Sequence, residues 1–256
     1  MSRTLVIIPT FNEAENLPGL LQRVRTQDVE VLVVDDNSPD GTGILADGFA
    51  TKDPGVHVLH RARKEGLGTA YREGFAWGLA QGFGVLVELD GDGSHQPEQL
   101  GRLLDRMPFA DVAIGSRWVR VGAVMNWPLR RVLLSRVGSL YARVALGLPF
   151  RDVTGGYRAY SASALRRIGL DTITSQGYCF QIDMLWHAHR AGLRIDEVPI
   201  TFVEREFGVS KMSSRIVCEA ILNVTVWGLT GLPQRIRSAL SATGSLRHDR
   251  GPAHVS

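Results

Sequence analysis

Short aliphatic runs recur through the first half of the chain, each followed by a stretch in which apolar positions return at helical spacing. Leu5 to Ile8, Val29 to Val34, Val56 to Leu59, Val85 to Leu89 and Val112 to Ile114 read as strands. Their nearly continuous apolar character predicts burial on both faces and therefore a mainly parallel sheet. Glu13 to Arg25 reads as a helix with Leu17, Leu20, Leu21 and Val24 on one side, and Pro18 falls in its first turn, where proline is tolerated. Thr69 to Gln81, carrying Ala70, Phe75, Ala76 and Leu79, and Pro97 to Arg106, which opens on proline, supply two more. Strands alternating with helices predict a doubly wound α/β fold.

Two later segments are amphipathic. Val132 to Leu148 sets Leu133, Leu134, Val137, Leu140, Tyr141, Val144, Ala145 and Leu148 near one face, while Ile216 to Leu232 is apolar but broken by Glu219 and Asn223. Neither contains the roughly 18 uninterrupted apolar residues of a membrane span. They read either as helices lying in a membrane interface or as helices packed on the main body. From about Ser238 the chain becomes polar.

Composition narrows the classes. A chain of 256 residues can bury a full core, and a net charge of +3 is too small to point to nucleic acid. The basic residues are nevertheless uneven, with Arg117, Arg120, Arg130, Arg131, Arg136 and Arg143 in one stretch able to face phosphate or lipid head groups. Cys179 and Cys218 have no CxxC spacing, which argues against a zinc site or disulfide framework and fits a reducing cytosol. The first strand begins almost at once, so no secretory signal is expected.

The chemistry gathers where strands end. Asp90-Gly91-Asp92 follows the Val85 to Leu89 run, and two carboxylates around one glycine form either a solvated turn or a site for a hard divalent cation that also takes substrate phosphates. Ligands of open α/β sheets bind beyond the carboxyl ends of strands, which favours a nucleotide-diphosphate site. Asp35-Asp36-Asn37-Ser38-Pro39-Asp40-Gly41-Thr42 begins at another strand end. Asp36 is a candidate for base or ribose, and Ser38, Asp40 and Thr42 are candidate helix caps. Pro9-Thr10-Phe11-Asn12-Glu13 closes the first strand, with Phe11 able to cover a flat base and Glu13 either capping a helix or touching the nucleotide. Asp152 orients an arginine or caps the turn at Gly155 and Gly156; Gln181 and Asp183 line an acceptor pocket or are ordinary helix polarity. His95 is a weak metal candidate, since a hard oxygen site does not need it. Gly66-Leu67-Gly68 lacks the third glycine of a dinucleotide fingerprint, and neither a GxxxxGK[ST] loop nor a GxSxG elbow occurs, so phosphate falls to metal and arginine.

In order along the chain, PTFNE from Pro9, DDNSPDGT from Asp35, Gly66-Leu67-Gly68, LDGDGSHQP from Leu89, Gly115-Ser116-Arg117, DVTGGYR from Asp152, GYCFQ from Gly177 and VEREFGVSK from Val203 resemble the inverting family 2 glycosyltransferases of the GT-A fold. The later segments resemble more specifically the dolichol- or polyprenol-phosphate mannose synthases. The resemblance covers roughly residues 4–230 and implies a Rossmann-like, mainly parallel sheet flanked by helices, with C-terminal amphipathic interface helices. A catalytic domain is expected over 1–211 and an amphipathic membrane-interface region over 212–235, and where relatives often continue into transmembrane helices the composition predicts a polar, disordered tail over 236–256.

The same resemblance implies roles. Pro9, Phe11, Glu13, Val34 and Asp36 match the guanosine-binding group, with Phe11 where tyrosine is common. Asp90 and Asp92 match the pair that binds Mg²⁺ or Mn²⁺, Ser94 a third ligand position, and Gly91 stands where alanine is usual. Arg117, Arg205 and Lys211 match the cations on donor and acceptor phosphates, and Arg131 with Ser135 a pair on the lipid phosphate. Asp92, Arg117, Arg205 and Lys211 are then the catalytic set. The expected reaction is transfer of mannose from GDP-mannose to a polyprenyl monophosphate, at the cytoplasmic face of a membrane, with an integral membrane partner subunit or domain. Two rivals are a UDP-glucose-dependent glucosyltransferase and a silent nucleotide-binding subunit.

Overall fold

The computed structural model describes residues 3–175, 177–205 and 218–230. The expected boundaries at 211/212 and 235/236, Lys211 and the loop of Phe207 to Ser210 lie outside them.

Strand and helix alternate as β1 (Thr4–Thr10), α1 (Leu17–Val24), β2 (Glu30–Asp35), α2 (Thr42–Ala50), β3 (Val56–His60), α3 (Leu67–Ala80), β4 (Val85–Glu88), α4 (Leu100–Leu104) and β5 (Val112–Ser116). Then come β6 (Ala123–Met125), α5 (Leu129–Leu146), β7 (Arg158–Ser161), α6 (Ala162–Ile168), α7 (Gly177–Arg190), β8 (Ile195–Pro199) and β9 (Thr201–Val203). A further helix, α8, occupies residues 218–230. Seven strands form one sheet in the order β3-β2-β1-β4-β7-β5-β8, and β6 pairs with β9 in a small second sheet. Only β7 runs antiparallel to its neighbours in the main sheet. The expected mainly parallel sheet is therefore present.

The five expected strands all form; β4 and β5 are buried throughout and β1 and β2 nearly so, because helices cover both faces, while the edge strands β3 and β8 are mostly half-buried. Leu5, Ile7, Leu32, Val34, Phe75 and Leu86 pack on one side, and Val6, Ile8, Leu17, Val31, Val33 and Val87 on the other. The first helix starts four residues later than its apolar pattern suggests. Asn12 takes a positive φ of 58° where the chain leaves β1, and the Glu13 carbonyl accepts the Leu17 amide at 2.8 Å. Pro97–Gln99 is a short 3₁₀ turn ahead of α4, so the expected helix over Pro97 to Arg106 is split.

Helix α3 approaches the sheet through glycine. A Cβ on Gly74 would fall 2.6 Å from Ile7 Cγ2, and one on Gly78 2.6 Å from Leu86 Cδ2, so helix-to-sheet distance is set by their missing side chains. Helix α8 uses the same device against α5, where a Cβ on Gly228 would lie 2.8 Å from the Ala145 carbonyl oxygen. Tyr141 Oη, 2.6 Å from Thr225 Oγ1, and the Trp186–Trp227 stack at 5.8 Å complete that docking.

Two glycine substitutions separate packing from backbone entropy. Gly74→Ala is expected to destabilise the chain by about 1–3 kcal/mol through overpacking. Gly48→Ala, in α2 with nothing within 4 Å of its Cβ position, is expected to stabilise by about 0.4–1 kcal/mol. Urea denaturation of both variants beside the wild type measures the two signs.

Candidate functional site

Because β1, β2 and β4 are parallel and adjacent, their carboxyl ends bring Pro9 to Phe11, Asp35 to Asp36 and Asp90 to Asp92 to one rim. The two aspartates after β2 divide the work. Asp35 accepts from Thr10 Oγ1 at 3.1 Å and from the Ser38 amide and hydroxyl at 3.1 and 2.6 Å, tying β1 to β2. Asp36 accepts from Arg61 Nη1 and from the amides of Glu65 and Gly66, at 3.2 and 3.0 Å, which fixes the turn of residues 61–66 against the rim.

The expected capping by Ser38, Asp40 and Thr42 is present only in part. Gly41, in the left-handed region at φ 89°, is the N-cap of α2 and has no side chain to offer. Asp40 Oδ1 does accept the amide of Thr42, the first residue of α2, at 3.1 Å, while Ser38 Oγ, Thr42 Oγ1 and Asp40 Oδ2 accept the amides of Asn12, Glu13 and Ala14 at 3.1, 3.0 and 3.1 Å. These last three bonds stitch the turn after β1 to the turn after β2. The buried Glu13 carboxylate accepts from Asn16 Nδ2 at 2.7 Å at the start of α1.

Above this rim lies a cavity of about 430 Å³. Sheet order ranks its lining: Pro9, Phe11, Glu13, Asp36 and Lys64 by β1 and β2, then Asp90, Gly91, Asp92 and Arg205 by β4, then Gly156, Thr154 and Gln181 towards β7 and α7. Lys64 Nζ sits 3.7 Å above the Phe11 ring. Gly91 must be small, since a Cβ there would lie 3.0 Å from the Pro9 carbonyl oxygen. Val34, expected in the nucleotide group, turns its fully buried side chain into the core beneath α3 and is not in the lining.

The two carboxylates around Gly91 sit in different electrostatic surroundings. Burial raises the Asp90 pKa and the Asp92 charge adds to it, against the pull of His95. Burial acts on Asp92 too, but the charge of Arg205, whose Nη2 is 2.7 Å from Oδ2, and the bond from the Ser94 amide at 3.1 Å bring its pKa below the ordinary value. Tyr71 Oη donates to Asp90 Oδ1 at 3.2 Å. His95 is no ligand: its Nδ1 accepts the Asp90 amide at 3.2 Å, burial lowers its pKa, and its ring stacks on Tyr157 at 5.0 Å. Beneath the rim, burial pushes Glu88 up to about 8, with Arg158 and Gln181 opposing.

Asp90 and Asp92 with Ser94 suit a hard cation. The Ser94 hydroxyl is buried without a hydrogen-bond partner among the described residues, so it offers an unused oxygen beside two carboxylates. Among those residues no three His, Cys, Asp or Glu side chains form a cage. Two carboxylates and a hydroxyl are the partial donor set that leaves positions for water and substrate phosphate.

A second, largely apolar cavity of about 380 Å³ runs between α5 and α8, lined by Arg117, Trp127, Arg131, Leu134, Ser135, Tyr141, Ile221 and Val224. Thr154 lines both cavities. Asp152 does both things expected of it: its carboxylate binds Arg117 Nε and Nη2 at 2.7 Å each and accepts the Gly155 amide at 3.0 Å. Burial opposes its ionisation, but the charge and hydrogen bonds of Arg117 hold its pKa below the usual value. Arg117 Nη2 also donates to Thr154 Oγ1 at 2.9 Å. Arg131 lies 4.2 Å from the Trp127 ring centroid and pairs with Glu204, next to Arg205 in the chain. Arg117, Arg131 and Ser135 are thus brought together as expected, while Arg130 and Arg136 are exposed.

Four contributors escaped the sequence reading: Arg61, Lys64, Tyr71 and Thr154. The first two sit in the basic run Arg61-Ala62-Arg63-Lys64 between a strand end and Gly66, which was the available signal. Tyr71 looks like any aromatic on a helix face.

The family model for glycosyl transferase family 2 matches residues 5–169. An undecaprenyl-phosphate mannosyltransferase of Micrococcus luteus is 58% identical over 240 residues, which is 93% of this chain and 99% of the relative. A polyprenol monophosphomannose synthase of Mycolicibacterium smegmatis is 54% identical over 242 residues, 93% of this chain and 91% of the relative. Among solved structures, glucosyl-3-phosphoglycerate synthase of Mycobacterium tuberculosis in complex with uridine diphosphate superimposes with a TM-score of 0.63 at 20% identity, covering 90% of this chain and 79% of that one. That likeness shows the GT-A arrangement of sheet and helices. With the family model on more than half its length and two relatives above half identity, the chain belongs to glycosyl transferase family 2, and it is a glycosyltransferase.

Proposed function

We propose that this enzyme transfers mannose from GDP-mannose to a polyprenyl monophosphate with inversion, giving a polyprenyl β-mannosyl phosphate and GDP. The observation that carries the reading is the meeting of two unlike cavities at Thr154, one rimmed by strand-end carboxylates with Lys64 and Arg205, the other lined by aliphatic and aromatic side chains with Arg117 and Arg131 along it. A nucleotide sugar suits the first. A phosphate on a long hydrocarbon suits the second. The names of the Micrococcus and Mycolicibacterium relatives supply the polyprenyl and mannosyl specificity.

The residues divide the chemistry as follows. Phe11 covers the base, Glu13 and Asp36 bound its slot with Pro9, and Val34 contributes only strand position. Asp90, Asp92 and Ser94 hold a divalent cation, Mg²⁺ or Mn²⁺, which when bound neutralises the diphosphate and so improves GDP as a leaving group. Arg205 is placed to exchange Asp92 for a donor phosphate, and Lys211, outside the described residues, joins it from the same segment. Arg117 and Arg131, with Ser135, hold the acceptor phosphate by charge-assisted hydrogen bonds. That phosphate has a second pKa of about 6, so at neutral pH an anionic oxygen is already present. It forms the new bond to the anomeric carbon as the bond to the diphosphate oxygen breaks, and no side chain need remove a proton.

The acceptor implies a membrane surface. On α5, Leu129, Leu133, Val137, Leu140 and Val144 are exposed, as are Ile221, Leu222, Val226 and Leu229 on α8. No helix among the described residues is long and apolar enough to cross a membrane. We assign this face to peripheral contact with a lipid bilayer at its cytoplasmic side, with residues 1–211 as the catalytic part and 212–235 as the interface region.

Purified enzyme given polyprenyl phosphate, Mn²⁺ and separately labelled GDP-mannose or UDP-glucose should move label into the organic phase from GDP-mannose. Transfer from UDP-glucose alone would overturn the donor assignment. Asp92→Ala should lower turnover by roughly 100-fold or more, the scale seen when one transition-state charge stabiliser is removed, and EDTA should abolish wild-type transfer until Mn²⁺ is restored. On the membrane side, Leu133→Glu with Val137→Glu should cut liposome co-sedimentation by tenfold or more, since each exposed aliphatic side chain is worth roughly 1.5–3 kcal/mol on burial. GDP binding should be unchanged, and retention of full liposome binding would remove this face from the interface.

A further inference from the structure

We propose that the side-chain amide of Gln181 is the group that reads hydroxyls of the transferred sugar. The inference rests on the function proposed above for the donor being a nucleotide sugar, and it adds the residue that sets which sugar is taken.

Gln181 stands near the start of α7 and is 3% exposed, yet it lines the carboxylate-rimmed cavity. Neither its Oε1 nor its Nε2 has a hydrogen-bond partner among the described residues. A primary amide offers two donors and an accepting oxygen, and leaving all of them dry is costly. Buried polar groups without partners are rare enough to need an explanation. Here the helix turn is held from behind, because the fully buried Arg158 donates from Nη1 to the Gln181 carbonyl at 2.6 Å. The backbone that carries the amide is therefore held, and the neighbour that acts on the amide from within the protein is the Glu88 carboxyl.

Gly156 opens the wall beside it. A Cβ at that position would lie 3.6 Å from Gln181 Nε2 and 3.6 Å from both carboxylate oxygens of Asp90. The amide and the cation-binding carboxylate thus border the same space, and any side chain at 156 would begin to fill it.

Sheet order then says what belongs there. The nucleotide end lies by β1 and β2, the carboxylates by β4, and Thr154, shared with the apolar cavity, beyond them. Transfer breaks the bond between anomeric carbon and diphosphate while forming one to the acceptor phosphate, so the sugar must lie between Asp90 and Thr154. The lining contributed by α7, α8 and the turn before β7 includes Gly156, Cys179, Gln181 and Glu219, whose carboxylate can accept but not donate. The Cys179 thiol is a weak partner and already accepts from Asn223 Nδ2 at 3.7 Å. Only the amide presents donor and acceptor together, which suits a pair of neighbouring sugar hydroxyls. The competing role is structural. The Glu88 carboxyl lies beside the amide, and its oxygens also lack partners among the described residues, so Gln181 would then serve Glu88 alone.

Calorimetric titration of the full chain with Mn²⁺ separates the two. Wild type, Gln181→Leu and Gln181→Asn are each titrated with GDP, GDP-mannose and GDP-glucose, and kcat/KM is measured for both sugars with polyprenyl phosphate. Both variants should keep GDP affinity within twofold, lose roughly tenfold in GDP-mannose affinity, the worth of one or two neutral hydrogen bonds, and lose roughly tenfold in preference for mannose over glucose. Gln181→Asn, which withdraws the amide by one methylene, provides the answer should Gln181→Leu fold poorly. The proposal is overturned by an unchanged mannose preference, or by equal loss of GDP and GDP-mannose binding in both variants. Should the wild type use only a UDP-sugar, the donor assignment fails by itself; the same comparison between UDP and that UDP-sugar still decides Gln181.

Discussion

Two carboxylates separated by one glycine, at the mouth of a buried strand, repel each other where little water is present to screen them. The site is organised around that repulsion. Asp90 and Asp92 cannot both carry full charge there without positive neighbours, and the described residues supply them unequally: Arg205 pairs with Asp92, while Asp90 takes a hydrogen bond from the Tyr71 hydroxyl and lies beside His95. The unpaired Ser94 hydroxyl completes a set that a divalent cation satisfies better than any residue in place. Burial raises the cost of two charges at this rim, and a divalent cation between them would remove that cost.

The same strand-end geometry that creates this tension also makes it useful. Parallel pairing of β1, β2 and β4 places three turns on one rim, and the bonds from residues 12–14 to Ser38, Asp40 and Thr42 lock two of them together. Asp36 locks in the turn of residues 61–66 through Arg61 and two amides. Most of the DDNSPDGT segment therefore works as a fastening for the rim, with Asp36 alone among its carboxylates in the cavity wall. A fastened rim holds its dipoles and charges before substrate arrives, which is the condition under which electrostatic stabilisation is effective.

Strands of continuous apolar residues were legible from sequence because burial on both faces leaves a one-dimensional signature, and the DxD pair was legible because it follows such a strand. Strands β7, β8 and β9 were not expected: they are three to five residues long and several of their positions are half-buried, so composition does not set them apart from loop. Helix α1 was drawn too early because spacing reports a face and is blind to the positive φ at Asn12. Val34 was placed with the nucleotide by the family resemblance alone, and alternation along β2 turns its side chain into the core. The roles of Asp152 and Gln181 stayed open for a different reason. Whether a buried polar group has a partner depends on residues far away in sequence, here Arg117 in one case and no described residue in the other.

Donor and acceptor cavities are joined by more than the shared Thr154. Arg131 on α5 pairs with Glu204, and the next residue, Arg205, pairs with Asp92, so two successive residues after β9 hold one group that lines each cavity. Arg117 makes the parallel link on the other side, held by Asp152 and bonded to Thr154. In each link an arginine is held by a carboxylate of the protein at a place suited to substrate phosphate. A phosphate arriving on either side competes for such an arginine, and a cation arriving at Asp92 competes with Arg205 for the same oxygen. Charge released from one pair becomes available to the next, so that donor, cation and acceptor are bound at the expense of the same small set of ion pairs.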